Sequence, residues 1–162
     1  MSNVYRNLFG AEFSYKSLVM LVILAILPNL LGLVVLQTPF GFKLHIFQLL
    51  IFFAAAYYGK WGGALSGGFG SIFTAVLLGN PYIIVGNIIL GFFTGMFAKR
   101  INLVSAAMIA FAIQLPWLWY TDLFLVGMPI VAVNAIMWAL LFSNLVWAGA
   151  AMLLFKRIRF QN

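Results

Sequence analysis

The amino-acid sequence predicts an all-α integral membrane protein: one bundle of six transmembrane helices over residues 1–162, with both termini cytoplasmic. Three observations lead there. Of the 162 residues, 65% are hydrophobic and only 7% charged, with two acids in the whole chain, whereas a soluble domain carries roughly 25% charged residues. Mean hydropathy is +1.12, and the apolar runs are continuous rather than alternating, which suits helices and not barrel strands. The basic residues divide very unevenly between the two ends of the spans. This composition excludes a water-soluble enzyme, a nucleic-acid-binding domain and a disordered tail.

A helix needs about 20 mostly apolar residues to cross the hydrocarbon layer, so a chain of 162 residues holds about six spans with their loops. Charges and Gly/Pro clusters bound them. The first, 17–36, ends before Pro39 and Gly41. The second, 44–58, ends at Gly59-Lys60, and the third, 61–78, follows so closely that the two must be antiparallel neighbours. It stops at Gly79-Asn80-Pro81. The fourth, 82–98, closes on Lys99-Arg100, and the fifth, 101–120, enters a loop holding Asp122, Gly127 and Pro129. The sixth, 130–155, runs into Lys156, Arg157 and Arg159. Pro28 and Pro116 fall inside spans, where proline is tolerated if neighbouring groups satisfy the freed carbonyl. Ahead of the first span, Arg6, Glu12 and Lys16 interrupt any apolar run, so no cleavable signal is read there. Tyr5, Leu8, Phe9 and Phe13 suit one face of a short interfacial helix, a loosely ordered N-terminus being the alternative.

Six spans place Arg6, Lys16, Lys60, Lys99, Arg100, Lys156, Arg157 and Arg159 on one side and Lys43 alone on the other. Basic residues accumulate on the cytoplasmic side, so the expected location is the plasma membrane of a bacterium or archaeon, as a multi-pass protein. The net charge of +7 is this asymmetry and not a nucleic-acid patch.

An amide or imidazole inside a membrane is a functional candidate by default. With about 1.5 Å of rise per residue, Asn29, Gln48, Asn87, Gln114 and Asn134 form a layer roughly 6–11 Å below the outer rim, with His45 near it and Asn144 deeper. Trp117, Trp119, Tyr120 and Tyr82 crowd the same end, either as an interfacial belt or as pocket walls. Trp138 is too deep for a belt and shares a face with Asn134 by i, i+4 spacing; His45 and Gln48 likewise share one. These features point to an outward-facing pocket with aromatic walls and a few orienting amides. Its candidate residues are Lys43, His45, Gln48, Asn80, Asn87, Gln114, Trp117, Asp122, Asn134 and Trp138. Taken singly, each amide reads more readily as an interhelical hydrogen bond than as a ligand contact, and it is the layer as a group that points to a pocket; Asp122 has two candidate partners, Lys43 or a cationic ligand. Gly59, Gly63 and Gly67, spaced by four, and the Gly91/Gly95 pair are flat stripes that serve internal packing or a partner surface.

Catalysis is not expected. One His, no Cys and two separated acids make neither a metal cluster nor paired carboxylates nor a nucleophile triad. A phosphate-binding Walker motif is absent, so transport powered by this chain's own nucleotide hydrolysis is excluded, and no cofactor is expected.

The run PFGFKLHIFQLLIFFAAAYYGKWGGALSGGFGSIFTAVLLGNP, followed by VGNIILGFFTGMFAKR, resembles the substrate-binding S components of energy-coupling factor (ECF) transporters. The similar features are a second helix ending Tyr58-Gly59-x-Trp61-Gly62 and a fourth ending Gly91-x-x-x-Gly95 before Lys99-Arg100. The resemblance implies a non-catalytic subunit of an ABC-type importer that captures a vitamin-like, water-soluble micronutrient from outside. It implies partners too: a transmembrane coupling protein and two cytoplasmic ATPase subunits. In that family the pocket lies under the loops that are here 37–43, 79–81 and 121–129. The family's A-x-x-x-A in the first helix is incomplete, Ala25 being followed by Asn29. Partner docking is therefore expected through Ala25 together with Gly59, Gly63 and Gly67. The rival is a cell-envelope scaffold of the MreD kind, which has no need of a polar pocket. A self-sufficient channel is a weaker third, since no polar path crosses the inner half.

Overall fold

The computed structural model describes residues 15–31, 35–37 and 43–159. Helix α1 spans Tyr15–Leu31, a two-stranded ribbon follows (β1 Val35–Gln37, β2 Lys43–His45), and then α2 Phe47–Gly70, α3 Ile72–Leu78, α4 Tyr82–Phe97 and α5 Leu103–Tyr120. A π-helical turn, Thr121–Leu125, extends α5, and α6 closes the chain over Ile130–Arg159. Three stretches are long and apolar enough to cross a membrane, Phe47–Leu78, Leu103–Leu125 and Ile130–Arg157; two shorter apolar helices, Ser17–Leu31 and Tyr82–Phe97, accompany them. The proposed interfacial helix at Tyr5–Phe13 lies outside the described residues.

The expected first span, 17–36, is too long. Helix α1 ends at Leu31, and Val35–Gln37 instead pairs antiparallel with Lys43–His45, Val35 opposite His45. Val35 is β-branched, which favours a strand over further helix. The same pairing delays the next helix to Phe47, three residues later than the 44–58 span allows.

Helix α2 does not run straight. Gly59 leaves the helical region (φ 69, ψ −156), a left-handed backbone that glycine alone adopts freely. A Cβ placed on Gly62 would lie 3.1 Å from the Ala54 carbonyl oxygen and one on Gly63 2.9 Å from the Ala55 Cβ. In a continuous helix these partners would be about 12 Å apart. The chain therefore doubles back at Gly59, and its two arms, 47–58 and 60–70, lie side by side.

The second arm packs antiparallel on α4 with almost no side-chain layer between. A Cβ on Gly91 would fall on the Gly63 carbonyl and 3.1 Å from Ala64 N; one on Gly67 would come 2.7 Å from the Asn87 carbonyl carbon, and one on Gly95 2.6 Å from Lys60 N. The stripe Gly59, Gly63, Gly67 is thus consumed inside the bundle and is buried. This corrects the expectation that it forms a partner surface. Ala25 also turns partly inward, half-buried, with its carbonyl beside Gly70.

The expected third span, 61–78, is interrupted at Ser71, where α2 gives way to α3 (φ −105, ψ 2). The Asn29 side chain repairs the gap. Its Nδ2 donates to the Phe69 carbonyl (2.7 Å) and its Oδ1 accepts from Phe73 N–H (2.8 Å), the two groups that an unbroken helix would have joined to each other. Ser71 Oγ meanwhile donates to the Gly67 carbonyl at 2.6 Å. Asn29 is therefore a structural patch, the plain role open to any amide in the layer.

Tyr58 Oη donates to the Ser17 carbonyl (2.8 Å), tying α1 to the end of the first arm of α2, and Ser66 Oγ donates to that of Leu24 (2.5 Å), tying it to the second. The core beneath joins Phe52, Tyr58, Leu90, Ala107, Phe111 and Ala148. Outward faces are largely apolar: Ile26, Leu77, Val131 and Leu153 are all exposed, as are the rings of Phe69 and Phe124.

The α2–α4 contact yields a paired prediction. Gly91→Ala should destabilise the purified protein by about 1–3 kcal/mol, the usual cost of overpacking, and lower its unfolding midpoint in detergent. Gly149→Ala, whose Cβ meets nothing within 4 Å, should leave the midpoint unchanged.

Candidate ligand-binding site

Five segments converge at the upper end of the bundle around a cavity of about 90 Å³. It is lined by His45, Phe47 and Gln48 from the ribbon and the start of α2, Thr74 and Leu78 from α3, and Asn80 beyond it. Ile83 and Asn87 come from α4, Gln114, Leu118 and Asp122 from α5 and its π-turn, Met128 from the following loop, and Ile136 and Leu140 from α6. Most of these sit four apart on their helices, the spacing that stacks side chains on one face.

The doubled-back α2 is what brings Gln48 level with Thr74 and Leu78. The glycine contact between α2 and α4 sets Asn87 one turn above Gly91 on the side where Gln114 arrives. Helix α5 is held there by Trp117, whose Nε1 donates to the Tyr82 carbonyl at 3.1 Å. Trp117 thus serves as a tie between helices and is not among the lining residues. Above it, Thr121 Oγ1 donates to the Trp117 carbonyl (2.9 Å) and Val126 N–H reaches back to Thr121 O (2.9 Å). That i→i−5 bond is the widened π turn, and it keeps Asp122 on the stripe of Gln114 and Leu118 where the sequence reads a loop.

The polar groups fall into two sets. Some are held by protein. Ser143 Oγ accepts from the His45 backbone N–H (3.1 Å) and donates to Gln48 Oε1 (2.5 Å), so one hydroxyl pins the ribbon and orients the amide. The His45 ring tilts against Phe47, centroids 5.8 Å apart. Asn80 Nδ2 donates to Asp122 Oδ1 at 2.7 Å, while Asn80 Oδ1 accepts from Tyr82 N–H at 3.1 Å. The rest have no such partner. Asn87 is 5% and Gln114 3% exposed, both line the cavity, and among the described residues neither side chain makes a hydrogen bond. A buried amide left unpaired costs roughly 1–3 kcal/mol; two facing one cavity mark a place where a ligand or water supplies the partners.

Two expected site residues lie elsewhere. Asn134 is exposed, as is Trp138 at 59%. They do share a helix face, but the one opposite the cavity: Ile136 and Leu140 are each two residues on, about 200° around the helix. The Lys43 side chain lies outside the described residues; its backbone pairs with Gln37 in the ribbon. Among the described side chains, Asp122 is held by Asn80. The apolar walls were missed by reading polar residues alone. The i, i+4 pairs Thr74/Leu78 and Ile83/Asn87 carry the signal that finds them. Asn144 is fully buried with both amide atoms unpaired, and nothing in the structure explains it.

Comparison with known proteins gives no match: no family model, no curated protein and no solved structure is similar to this chain.

Ser143→Ala removes both bonds of the pinning hydroxyl. It should cost about 0.5–1.7 kcal/mol, the range of interhelical hydrogen bonds in membrane proteins. Hydrogen exchange at the His45 amide should accelerate while exchange in α4 stays as it was.

Proposed function

We propose that this chain is the substrate-capturing membrane subunit of an ECF-type importer for a small water-soluble micronutrient. The observation that carries the reading is the pair of buried amides, Asn87 and Gln114, unpartnered among the described residues and facing one cavity at one end of the bundle. Water-soluble ligands need hydrogen bonds at an apolar site, and a few convergent polar groups among aliphatic and aromatic walls is the usual make-up of such a pocket. A scaffold gains nothing from them, since apolar residues would fill the same volume at no desolvation cost.

In this reading the two arms of α2 are separate spans, giving six with α1, α4, α5 and α6, and the cavity opens outside. Lys60, Lys99, Arg100, Lys156 and Arg157 then gather at the cytoplasmic end, as basic residues do in bacterial and archaeal plasma membranes. In this reading release requires a transmembrane coupling protein and two cytoplasmic ATPases, because the sequence carries no Walker motif. With the glycine stripe occupied by α4, docking falls to the exposed face of α1, where Leu18, Val22 and Ile26 recur every fourth residue.

Two experiments test the reading. The chain has no cysteine, so single cysteines report topology directly. Phe124→Cys and Val131→Cys should react with an impermeant maleimide on intact cells, while Lys99→Cys and Lys156→Cys should react only after permeabilisation. Labelling of all four from outside would sink the six-span arrangement. For capture, a panel of water-soluble vitamins and precursors should contain a compound that raises the unfolding midpoint of the purified protein. Asn87→Leu and Gln114→Leu should each abolish that shift, whereas Asn134→Leu should preserve it. A panel without effect counts against capture.

A further inference from the structure

We infer that the captured ligand is a cation, a small molecule whose protonated amine or amidine donates to Asp122. The inference rests on the capture reading and adds the charge of the ligand to it.

Asp122 is 5% exposed and lines the cavity. One carboxylate oxygen, Oδ1, is taken by Asn80 Nδ2 at 2.7 Å. The orientation of that amide is not free, because its own oxygen is engaged by the Tyr82 N–H at 3.1 Å; a flip would set oxygen against oxygen and nitrogen against N–H. Asn80 therefore presents Asp122 in a fixed pose at the cavity wall, with Oδ2 not engaged by that amide. A neutral amide supplies a hydrogen bond but no counter-charge. Among the described residues no cation pairs with Asp122, and the other polar side chains of the lining are the amides Gln48, Asn87 and Gln114, the Thr74 hydroxyl and the His45 imidazole.

A buried carboxylate whose partner among the described residues is a neutral amide carries a desolvation cost of several kcal/mol, far more than a neutral group of the same shape would incur. A ligand that brings its own positive charge removes that cost on binding, and a charge-assisted bond is about twice as strong as a neutral one. An anionic ligand would instead add repulsion in a low-dielectric site. The unpaired amides then receive the neutral polar atoms of the same molecule.

The test uses the full-length protein in nanodiscs and four ring-sized probes of matched shape: benzamidine, benzylamine, benzoate and benzyl alcohol. By calorimetry or thermal shift, the two cations should bind at least about tenfold tighter than benzoate, a difference of about 1.4 kcal/mol. In Asp122→Asn, which keeps the shape and removes the charge, that preference should fall to about twofold or less while benzyl alcohol binding is unchanged. Benzoate binding as well as benzamidine in the natural protein overturns the inference, and this contrast needs no variant to fold. So does an unaltered cation preference in Asp122→Asn. If the vitamin panel stabilises the protein but only through anionic members, capture stands and the cation inference falls. If neither the panel nor the probes bind, both fall.

Discussion

The backbone contact between α2 and α4 governs the architecture. Gly63 and Gly91 meet with no side chain between them, and the same antiparallel register carries Gly67 against Asn87 and Gly59 against Gly95. A left-handed glycine at residue 59 lets the first arm of α2 return along the second. Remove the close approach and α4 moves outward by the thickness of a side-chain layer; Asn87 then no longer faces the cavity that Gln48 and Gln114 share. Small residues commonly bring membrane helices together in this way, since hydrocarbon offers no hydrophobic drive for association and close packing must supply it.

The second constraint is that polar atoms in an apolar interior must find partners. Asn29 spends its amide on the break at Ser71, Ser143 on His45 and Gln48, and Asn80 on Tyr82 and Asp122. Each of these is closed on itself. Asn87 and Gln114 are not closed: both line the cavity, and neither finds a partner among the described residues. The distinction between a structural amide and a recognition amide is thus a matter of what stands opposite, which no single residue type announces.

That explains which parts of the site were legible in the sequence. Composition and continuous apolar runs made the helical bundle readable, and helix rise alone put Gln48, Asn87 and Gln114 at a common depth. Rise along the axis does not give rotation about it. Asn134 and Trp138 have the right depth and the right mutual spacing, yet α6 turns their face away, because Val133 and Met137, one residue back from each, are the ones buried against α5 and its flanks. On a helix that is apolar nearly all round, the polar face need not be the buried one, since lipid tolerates aliphatic residues on any side. The early end of α1 and the ribbon after it were likewise hidden: strand pairing between Val35–Gln37 and Lys43–His45 is a tertiary choice that overrides a locally apolar, helix-compatible run.

Asp122 shows how local distortion and recognition are joined. Helix α5 carries Gln114, Leu118 and Asp122 along one stripe at i, i+4 spacing. The π turn, held by Thr121, widens the backbone at the end of that stripe, and such turns are frequent at functional sites. Here the result is a carboxylate placed above two unpaired amides and steadied by Asn80. Asn144 is unpaired as well but lines no part of the cavity, so it is the coincidence of unpaired amides with a cavity, and not unpaired groups alone, that argues for recognition.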